Sequence, residues 1–330
     1  EPKADALGWL FNTGYYAIRP ILNISFSKAR FPAHTEFASN FIYEMKDRQG
    51  RPAAPEQKVS VALFSDFGTG VYHSRYIAKH LAGLDPDYAI HLGDVYYAGR
   101  FSELRDYFTA PLEPVIMRSH LFAMNANHEM YSGAIPYFDR VAERRTTKAG
   151  WVAQEQEGSY FCLWNKKYQI IAIDTAYHQN GRHEVQALNE WLGARLREGK
   201  TATPQRMNIL LSPNEPYALG DKKFSDLYHD LKGFIQDKLI DFWFWGNTHY
   251  GALFDRSPQA PFIGSCIGHA GHPIYKKDIE KNHAKHSELK RKSNDIPPTL
   301  WVDLSPKFPE WTKLRPDLAN HGFLPAGIGG

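Results

Sequence analysis

The chain has 330 residues, of which 43% are hydrophobic and 23% charged, and its formal net charge is +3. This composition is that of an ordinary globular protein with enough apolar residues for its own core. The small net charge gives no argument for nucleic acid as a partner, and no apolar run approaches the roughly 20 residues that span a bilayer. The two cysteines, Cys162 and Cys266, are far apart, which excludes a disulfide scaffold and argues against a zinc–thiolate site.

The compartment and the oligomeric state are left open by the sequence. The chain begins at Glu1 rather than at Met, which is compatible with a removed leader. We therefore expect a soluble protein that is either secreted or periplasmic after leader removal, or cytoplasmic.

Three segments are predicted along the chain. Residues 1–55 are expected to form a helical extension that ends in a linker, Gly50-Arg-Pro-Ala-Ala-Pro55. Residues 56–275 form the main domain. Residues 276–330 form a basic, lid-like segment and a tail that pack on the same domain. Acidic residues lie among the basic residues of 276–292, which favours a solvated helix face over a nucleic-acid patch.

Apolar runs alternate with amphipathic stretches in the main domain, which predicts an α/β layer fold with a parallel or mixed sheet. The predicted strands lie at residues 59–64, 88–92, 120–124, 159–164, 168–173, 207–211, 241–245, 252–255 and 261–265. The predicted helices lie at residues 71–84, 101–109, 183–198 and 224–238. The strands at 159–164 and 168–173 are expected to form a hairpin.

Polar side chains follow five of these strands, where open α/β sheets bind their ligands. They are Asp66, Asp94 with Tyr97, Asn127 with His128, the turn at 213–215, and Asn247 with His249. A carboxylate can bridge two cations, and a phenolate is a hard anionic ligand that suits iron(III). Each of these residues alone is equally compatible with a helix cap or a surface position, so only their order along the chain indicates a common site.

The ordered series resembles the calcineurin-like metallophosphoesterase superfamily, and within it the purple acid phosphatases. The motifs of that family are GDxG, GDxxY, GNH followed by Asp or Glu, VxxH and GHxH. Their counterparts here are Ser65-Asp-Phe-Gly68, Gly93-Asp-Val-Tyr-Tyr97, Ala126-Asn-His-Glu129, Leu210-Leu-Ser-Pro213 and Gly246-Asn-Thr-His249. The resemblance covers about residues 58–272. It implies a two-sheet α/β/β/α sandwich flanked by helices.

A complete first metal site is implied by the resemblance. Most of the superfamily has DxH as its first motif, with the His as a metal ligand, whereas the purple acid phosphatases lose this His and gain a Tyr in the second motif. This chain shows the same pairing, Gly68 with Tyr97. The implied ligands are Asp66, Asp94, Tyr97 and His249, and the implied ion is iron(III) with a phenolate-to-iron charge-transfer band.

A second metal site is implied only in part. Two of its family ligands are present, Asp94 and Asn127, but its two histidines are replaced by Pro213 and Asn247. Proline has no side-chain donor, and an Asn carbonyl is a weaker ligand than imidazole. A second divalent ion, zinc, iron or manganese, is therefore expected to be held weakly. Substitute ligands that the sequence offers are Asn214, Glu215 and residues 268–272.

For the chemistry, the resemblance implies a phosphomonoesterase that uses a metal-bound hydroxide. His128 is expected to donate a proton to the leaving oxygen or to bind the phosphate. Glu129 is expected to orient His128, with a surface position as the alternative. The expected partner is a small phosphorylated substrate, with neither nucleic acid nor a membrane involved.

Two other functions stay open on the same fold. One is a phosphodiesterase or nucleotide hydrolase. The other is a catalytically impaired or inactive protein that binds a ligand without turnover, which the replacements at Pro213 and Asn247 favour. Ala126 also stands where the family motif has Gly, and it carries a cost if that position needs a positive φ.

Overall fold

The computed structural model describes residues 28–53, 58–140, 147–148, 151–152, 156–272 and 274–304. The strands are β1 Ile42–Glu44, β2 Val61–Phe64, β3 Tyr88–His91, β4 His120–Ala123, β5 Thr147–Lys148, β6 Trp151–Val152, β7 Phe161–Trp164, β8 Tyr168–Ala172, β9 Met207–Ser212, β10 Phe242–Trp245, β11 Gly251–Phe254, β12 Ile263–Ile267 and β13 Thr299–Val302. The α-helices are α1 Tyr72–Leu84, α2 Phe101–Glu103, α3 Glu113–Ile116, α4 Asn127–Met130, α5 Ile135–Arg140, α6 Gln186–Thr201, α7 Asp226–Asp230, α8 Lys232–Gln236 and α9 Lys276–Lys292.

The strands form two sheets that build the domain, with β5 and β6 as a separate small ribbon. The larger sheet has the order β1-β7-β8-β9-β10-β12-β11-β13, and the smaller sheet has the order β2-β3-β4. All pairs of the smaller sheet are parallel, and the larger sheet is mixed, with β8, β9, β10 and β12 parallel to one another. The mixed α/β fold with two sheets that the sequence predicts is confirmed.

The two sheets pack face to face around the main core. Ile90 and Phe122 of the smaller sheet share one apolar cluster with Leu210 and Trp243 of the larger sheet. The opposite face of the smaller sheet, which includes Ala89, packs in a second apolar cluster with α1. Helix α6 packs on β8 and β9. Burying each large apolar side chain stabilises this arrangement by about 2 kcal/mol.

Most of the predicted elements agree with the structure. The predicted helix 71–84 is α1, and the predicted hairpin is the antiparallel pair β7–β8. The single helix predicted at 224–238 is wrong, because Leu231 leaves the helical conformation (φ −98°, ψ 7°) and divides it into α7 and α8. The predicted helix at 101–109 begins as α2 and continues as a π-helix.

The predicted segment bounds stay predictions. Within the expected N-terminal extension, β1 pairs with β7, and within the expected C-terminal segment, β13 pairs with β11. Residues 1–27 and the tail from residue 305 lie outside the described residues. In the part of the chain that the structure describes, none of the helices combines the length and the apolar character that crossing a bilayer requires.

Candidate active site

The carboxyl ends of parallel strands from both sheets meet at one edge of the sandwich. Residues at these ends stand in register: Phe64, His91 and Ala123 in the smaller sheet, and Ser212, Trp245 and Cys266 in the larger sheet. The loops that follow touch across the two sheets, where the Ala270 N–H donates to the Ser65 carbonyl at 3.2 Å. Side chains that the sequence places after separate strands therefore converge on one pocket.

Two carboxylates and an imidazole form the centre of this pocket. One ligand atom each from Asp66, Asp94 and His249 lies within 4.8 Å of the other two. Asp66 Oδ1 is buried without a hydrogen-bond partner and lies 3.3 Å from Nε2 of His249, whereas Oδ2 accepts the N–H of Asn247 at 3.0 Å. A buried carboxylate oxygen without a hydrogen-bond partner that faces an imidazole nitrogen fits a transition-metal cation.

The electrostatics of the pocket also favour a cation. Burial raises the pKa of Asp66 to about 6, although hydrogen bonds from Ser65 and the Asn247 N–H oppose the shift. Burial likewise raises the pKa of Asp94 to about 6, against the opposing charge of His128. Burial also lowers the pKa of His249. Each group is therefore pushed toward its neutral form, and a bound cation would reverse this for the carboxylates.

Several of these side chains belong to residues whose backbone has the left-handed conformation. Asp66, Asp94, Asn247 and His249 have φ values of 58°, 60°, 67° and 57°. This conformation costs a non-glycine residue about 1 kcal/mol or more, and Asn, Asp and His are enriched in it. The chain therefore stores backbone strain at the turns that follow β2, β3 and β10.

Gly68 and Tyr97, which vary together in the family's motifs, both line the pocket in the structure. A Cβ at Gly68 would lie 2.0 Å from the carbonyl oxygen of Val95, so this position has no room for any side chain, including the His of a DxH motif. Tyr97 lines the same pocket as Asp66 and Asp94. The structure therefore brings all four residues of the expected first site, including His249, to one place.

His128 lies at the same pocket, next to Asn127 in the first turn of α4. Its Nδ1 lies 2.6 Å from the carbonyl oxygen of Tyr97. Since a carbonyl only accepts, Nδ1 carries the proton in this contact. Its Nε2 lies 3.8 Å from Asp94 Oδ2. The ring is thus oriented by the backbone of Tyr97 and turned toward the carboxylates.

Glu129 does not orient His128, contrary to the expectation from the sequence. It is fully buried, and its two oxygens accept the backbone N–H groups of Asp94 at 3.1 Å, Val95 at 2.6 Å and Ala126 at 2.6 Å. Burial raises its pKa well above the ordinary value. The surface alternative is wrong too, since this carboxyl ties the loop after β3 to the loop after β4.

Apolar side chains lie close to Gly93, the residue before Asp94. A Cβ built on Gly93 would lie 2.5 Å from the Cβ of Ala126 and 3.3 Å from the Cβ of Pro213. Both side chains therefore flank the backbone that leads into Asp94. Ala126 has φ −130°, so the cost that a positive φ would bring does not arise.

Asn247 is engaged by a neighbouring carboxylate. Its Nδ2 donates to Glu215 Oε2 at 2.9 Å, and burial raises the pKa of Glu215. Pro213 offers no donor, and the Asn247 amide is already bound on its nitrogen side. These two residues therefore offer one amide oxygen in place of two imidazoles, a weaker ligand set than that of the first site.

Comparison with known proteins assigns the fold. The family described as calcineurin-like phosphoesterase matches residues 59–251. The chain belongs to this family. No curated protein matches the sequence significantly.

Several solved structures are similar to this chain. The purple acid phosphatase PPD1 from yellow lupin seeds is 16% identical with a TM-score of 0.51, over 67% of this chain and 47% of the lupin chain. GAP50, the anchor in the inner membrane complex of Plasmodium, is 12% identical with a TM-score of 0.53, over 66% of this chain and 73% of GAP50. A dimetal phosphatase from Danio rerio is 12% identical with a TM-score of 0.45, over 65% of this chain and 89% of that chain. At these identities the likeness concerns the fold, and this chain spans about half the lupin protein.

One residue of the pocket stands outside the family motifs. His272 lines it together with Asp94, Tyr97 and His128, and its ring stacks on that of His249 with 3.8 Å between centroids. The sequence includes it only within 268–272, as one of several substitute ligands. Its position after β12, at the same edge as the other loops, is the signal that singles it out.

Proposed function

We propose that the chain is a phosphomonoesterase of the acid-phosphatase type whose pocket holds one cation firmly. The observation that carries this is the cluster of Asp66, Asp94 and His249, whose donor atoms lie within 4.8 Å of one another beside the His128 ring. Family membership supports the coarser statement, a metal-dependent phosphoester hydrolase. Tyr97 completes the proposed ligand set.

The proposed ion is iron(III), because a tyrosinate and two carboxylates form a hard anionic donor set. Once bound between Asp66, Asp94, Tyr97 and His249, the ion would supply Lewis-acid activation of water and neutralise phosphate charge. A second divalent ion, zinc, iron or manganese, is proposed to bind weakly at most, since Pro213 has no ligand atom and Asn247 supplies an amide oxygen in place of an imidazole.

The chain's own residues supply orientation and proton transfer. His128 has its Nδ1–H held by the Tyr97 carbonyl, so its Nε2 is the atom that can carry a proton to the leaving oxygen. Asp94 Oδ2 lies 3.8 Å from that nitrogen, so the ring faces the carboxylate. Glu129 fixes the backbone on either side of Asp94 and so keeps this geometry.

A catalytically impaired protein is the second candidate, favoured by Pro213 and Asn247, which stand where the family has two imidazole ligands. GAP50, which shares the fold, is described as an anchor, so a binding role is an alternative for this chain too. A phosphodiesterase or nucleotide hydrolase differs from the proposal only in substrate, which a comparison of monoesters with diesters decides.

Elemental analysis together with a visible spectrum of the same sample tests the proposal. We expect about one iron per chain, a charge-transfer band that disappears in Tyr97→Phe, and turnover of an aryl phosphate. Tyr72→Phe, at an exposed tyrosine, is the matched control and keeps the band. A colourless chain that takes up neither iron nor zinc on incubation would assign the protein to the inactive alternative.

A further inference from the structure

The loop after β12 is fastened to the loop that carries Asp66. The Thr69 hydroxyl donates to the Gly271 carbonyl at 2.9 Å, and the Ala270 N–H donates to the Ser65 carbonyl at 3.2 Å. A loop held on both sides of its tip presents its next side chain in a fixed place. That side chain is His272.

Two glycines allow the loop after β12 to lie close to the loop that carries Asp66. A Cβ on Gly268 would lie 2.8 Å from Asp66 Oδ2, and a Cβ on Gly271 would lie 2.5 Å from the Ser74 hydroxyl and 2.7 Å from the Phe67 carbonyl. A side chain at either position would push the loop away from the pocket. The glycines therefore allow the loop that carries His272 to lie close to the turn of Asp66.

The ring of His272 lies at the pocket, against the ring of His249. It stacks nearly parallel on His249, with 16° between the planes, and it lines the pocket together with Asp94 and His128. It does not belong to the group of donors that lie within 4.8 Å of one another. Its place is therefore beside the cation site rather than within it.

We propose that His272 is a substrate-binding residue that donates a hydrogen bond from its ring to a phosphoryl oxygen. This inference rests on the proposed function and adds a residue that no motif of the family supplies. A phosphomonoester carries about two negative charges and strong acceptor oxygens. With one firm cation and no donor at Pro213, a second ring donor next to His128 supplies part of the recognition that a second ion would give.

Titration with inorganic phosphate tests the role without requiring turnover. His272→Phe keeps a ring that can stack on His249 but has no donor, whereas His272→Gln keeps a donor without a ring. We expect the Phe variant to bind phosphate about tenfold more weakly than the wild type, the usual loss for a hydrogen bond to a charged group. The Gln variant should stay within about threefold, and His73→Phe, at an exposed histidine of α1, should bind like the wild type.

Metal content, measured on the same samples, separates the alternatives. Unchanged cation content with weaker phosphate binding in His272→Phe supports the inference. Equal phosphate binding by wild type and His272→Phe, loss of the cation in both His272 variants, or a wild type that does not bind phosphate each overturns it. A chain that binds phosphate through His272 but hydrolyses no ester contradicts the proposed function and leaves the inference standing.

Discussion

The loops after the smaller sheet and those after the larger sheet differ in which of the family's functional residues they carry. The loops after the smaller sheet bring Asp66, Asp94 and His128 together, with a buried Glu129 fastening their backbone. The loops after the larger sheet supply His249 but carry Pro213 and an Asn247 bound to Glu215 where the family has two imidazoles. The difference teaches that one cation site can stay complete while its neighbour loses ligands, since His249 is present and both replaced imidazoles lie in loops after the larger sheet.

The largest effect is expected at Asp94, the carboxylate that belongs to both of the metal sites implied by the resemblance. Asp94→Asn removes a charge from the centre of the donor cluster, so cation affinity should fall by more than about a hundredfold, measured by calorimetric titration or elemental analysis. Asp106→Asn, at an exposed carboxylate paired with Arg105, is the control. If Asp94→Asn retains a full complement of metal, the first site lies elsewhere.

Glu129→Ala tests the hydrogen bonds by which this carboxyl fastens the loops after the smaller sheet. Three buried N–H groups would lose their acceptor, so the free energy of unfolding should fall by about 3 kcal/mol. The measurement is the urea midpoint at unchanged m-value. Glu113→Ala, at an exposed position of α3, should change stability by less than about 0.5 kcal/mol. A similarly small change in Glu129→Ala would contradict the fastening role.

The carboxylates of the first site make stability depend on pH when no cation is bound. Because the folded-state pKa of Asp66, about 6, lies above its ordinary value of 3.8, its contribution to stability is full below about pH 4 and is lost as the pH rises through 6. Asp66→Asn should therefore make the chelator-treated protein about 2 kcal/mol more stable at pH 7.5 and leave it nearly unchanged at pH 4. Urea unfolding at the two pH values checks this, and a variant less stable at pH 7.5 would refute it.

The smallest effect is expected from restoring the two missing imidazoles in the loops after the larger sheet. Asn247→His gives up the hydrogen bond to Glu215 and supplies an imidazole, and with Pro213→His the second site regains both missing ligand types. We expect the double variant to bind a second divalent ion about tenfold more tightly than the wild type, or about 1.4 kcal/mol. Titration with zinc after the first site is filled measures this gain. Equal second-site affinity would show that Asn247 and Pro213 are not what weakens the site.

The strands and the convergence of the residues that follow them were predictable because both rest on local patterns. Apolar runs mark the parallel strands, and the residue after each strand lies at the same edge whatever the rest of the chain does. The grouping of Asp66, Asp94, Tyr97 and His249 as one metal site came from the resemblance of their motifs to the purple acid phosphatases, and it stays a proposal.

Contacts between distant loops could not be predicted in the same way. Glu129 follows His128 directly, which suggests a partner for the ring, yet the fold turns its carboxyl to the backbone of Val95. The Asn247–Glu215 pair depends on how β9 and β10 end relative to each other. His272 follows no motif, and only the fastening of its loop to Thr69 shows where it points.

The left-handed turns at Asp66, Asp94, Asn247 and His249 have a kinetic consequence. Such backbone persists only where the surrounding fold determines it, so the donors are oriented when the chain folds and not when the ion arrives. A cation then meets a preorganised site and has no loop-closing step to wait for. Ion capture should follow a single bimolecular phase, with the same loop conformation before and after binding.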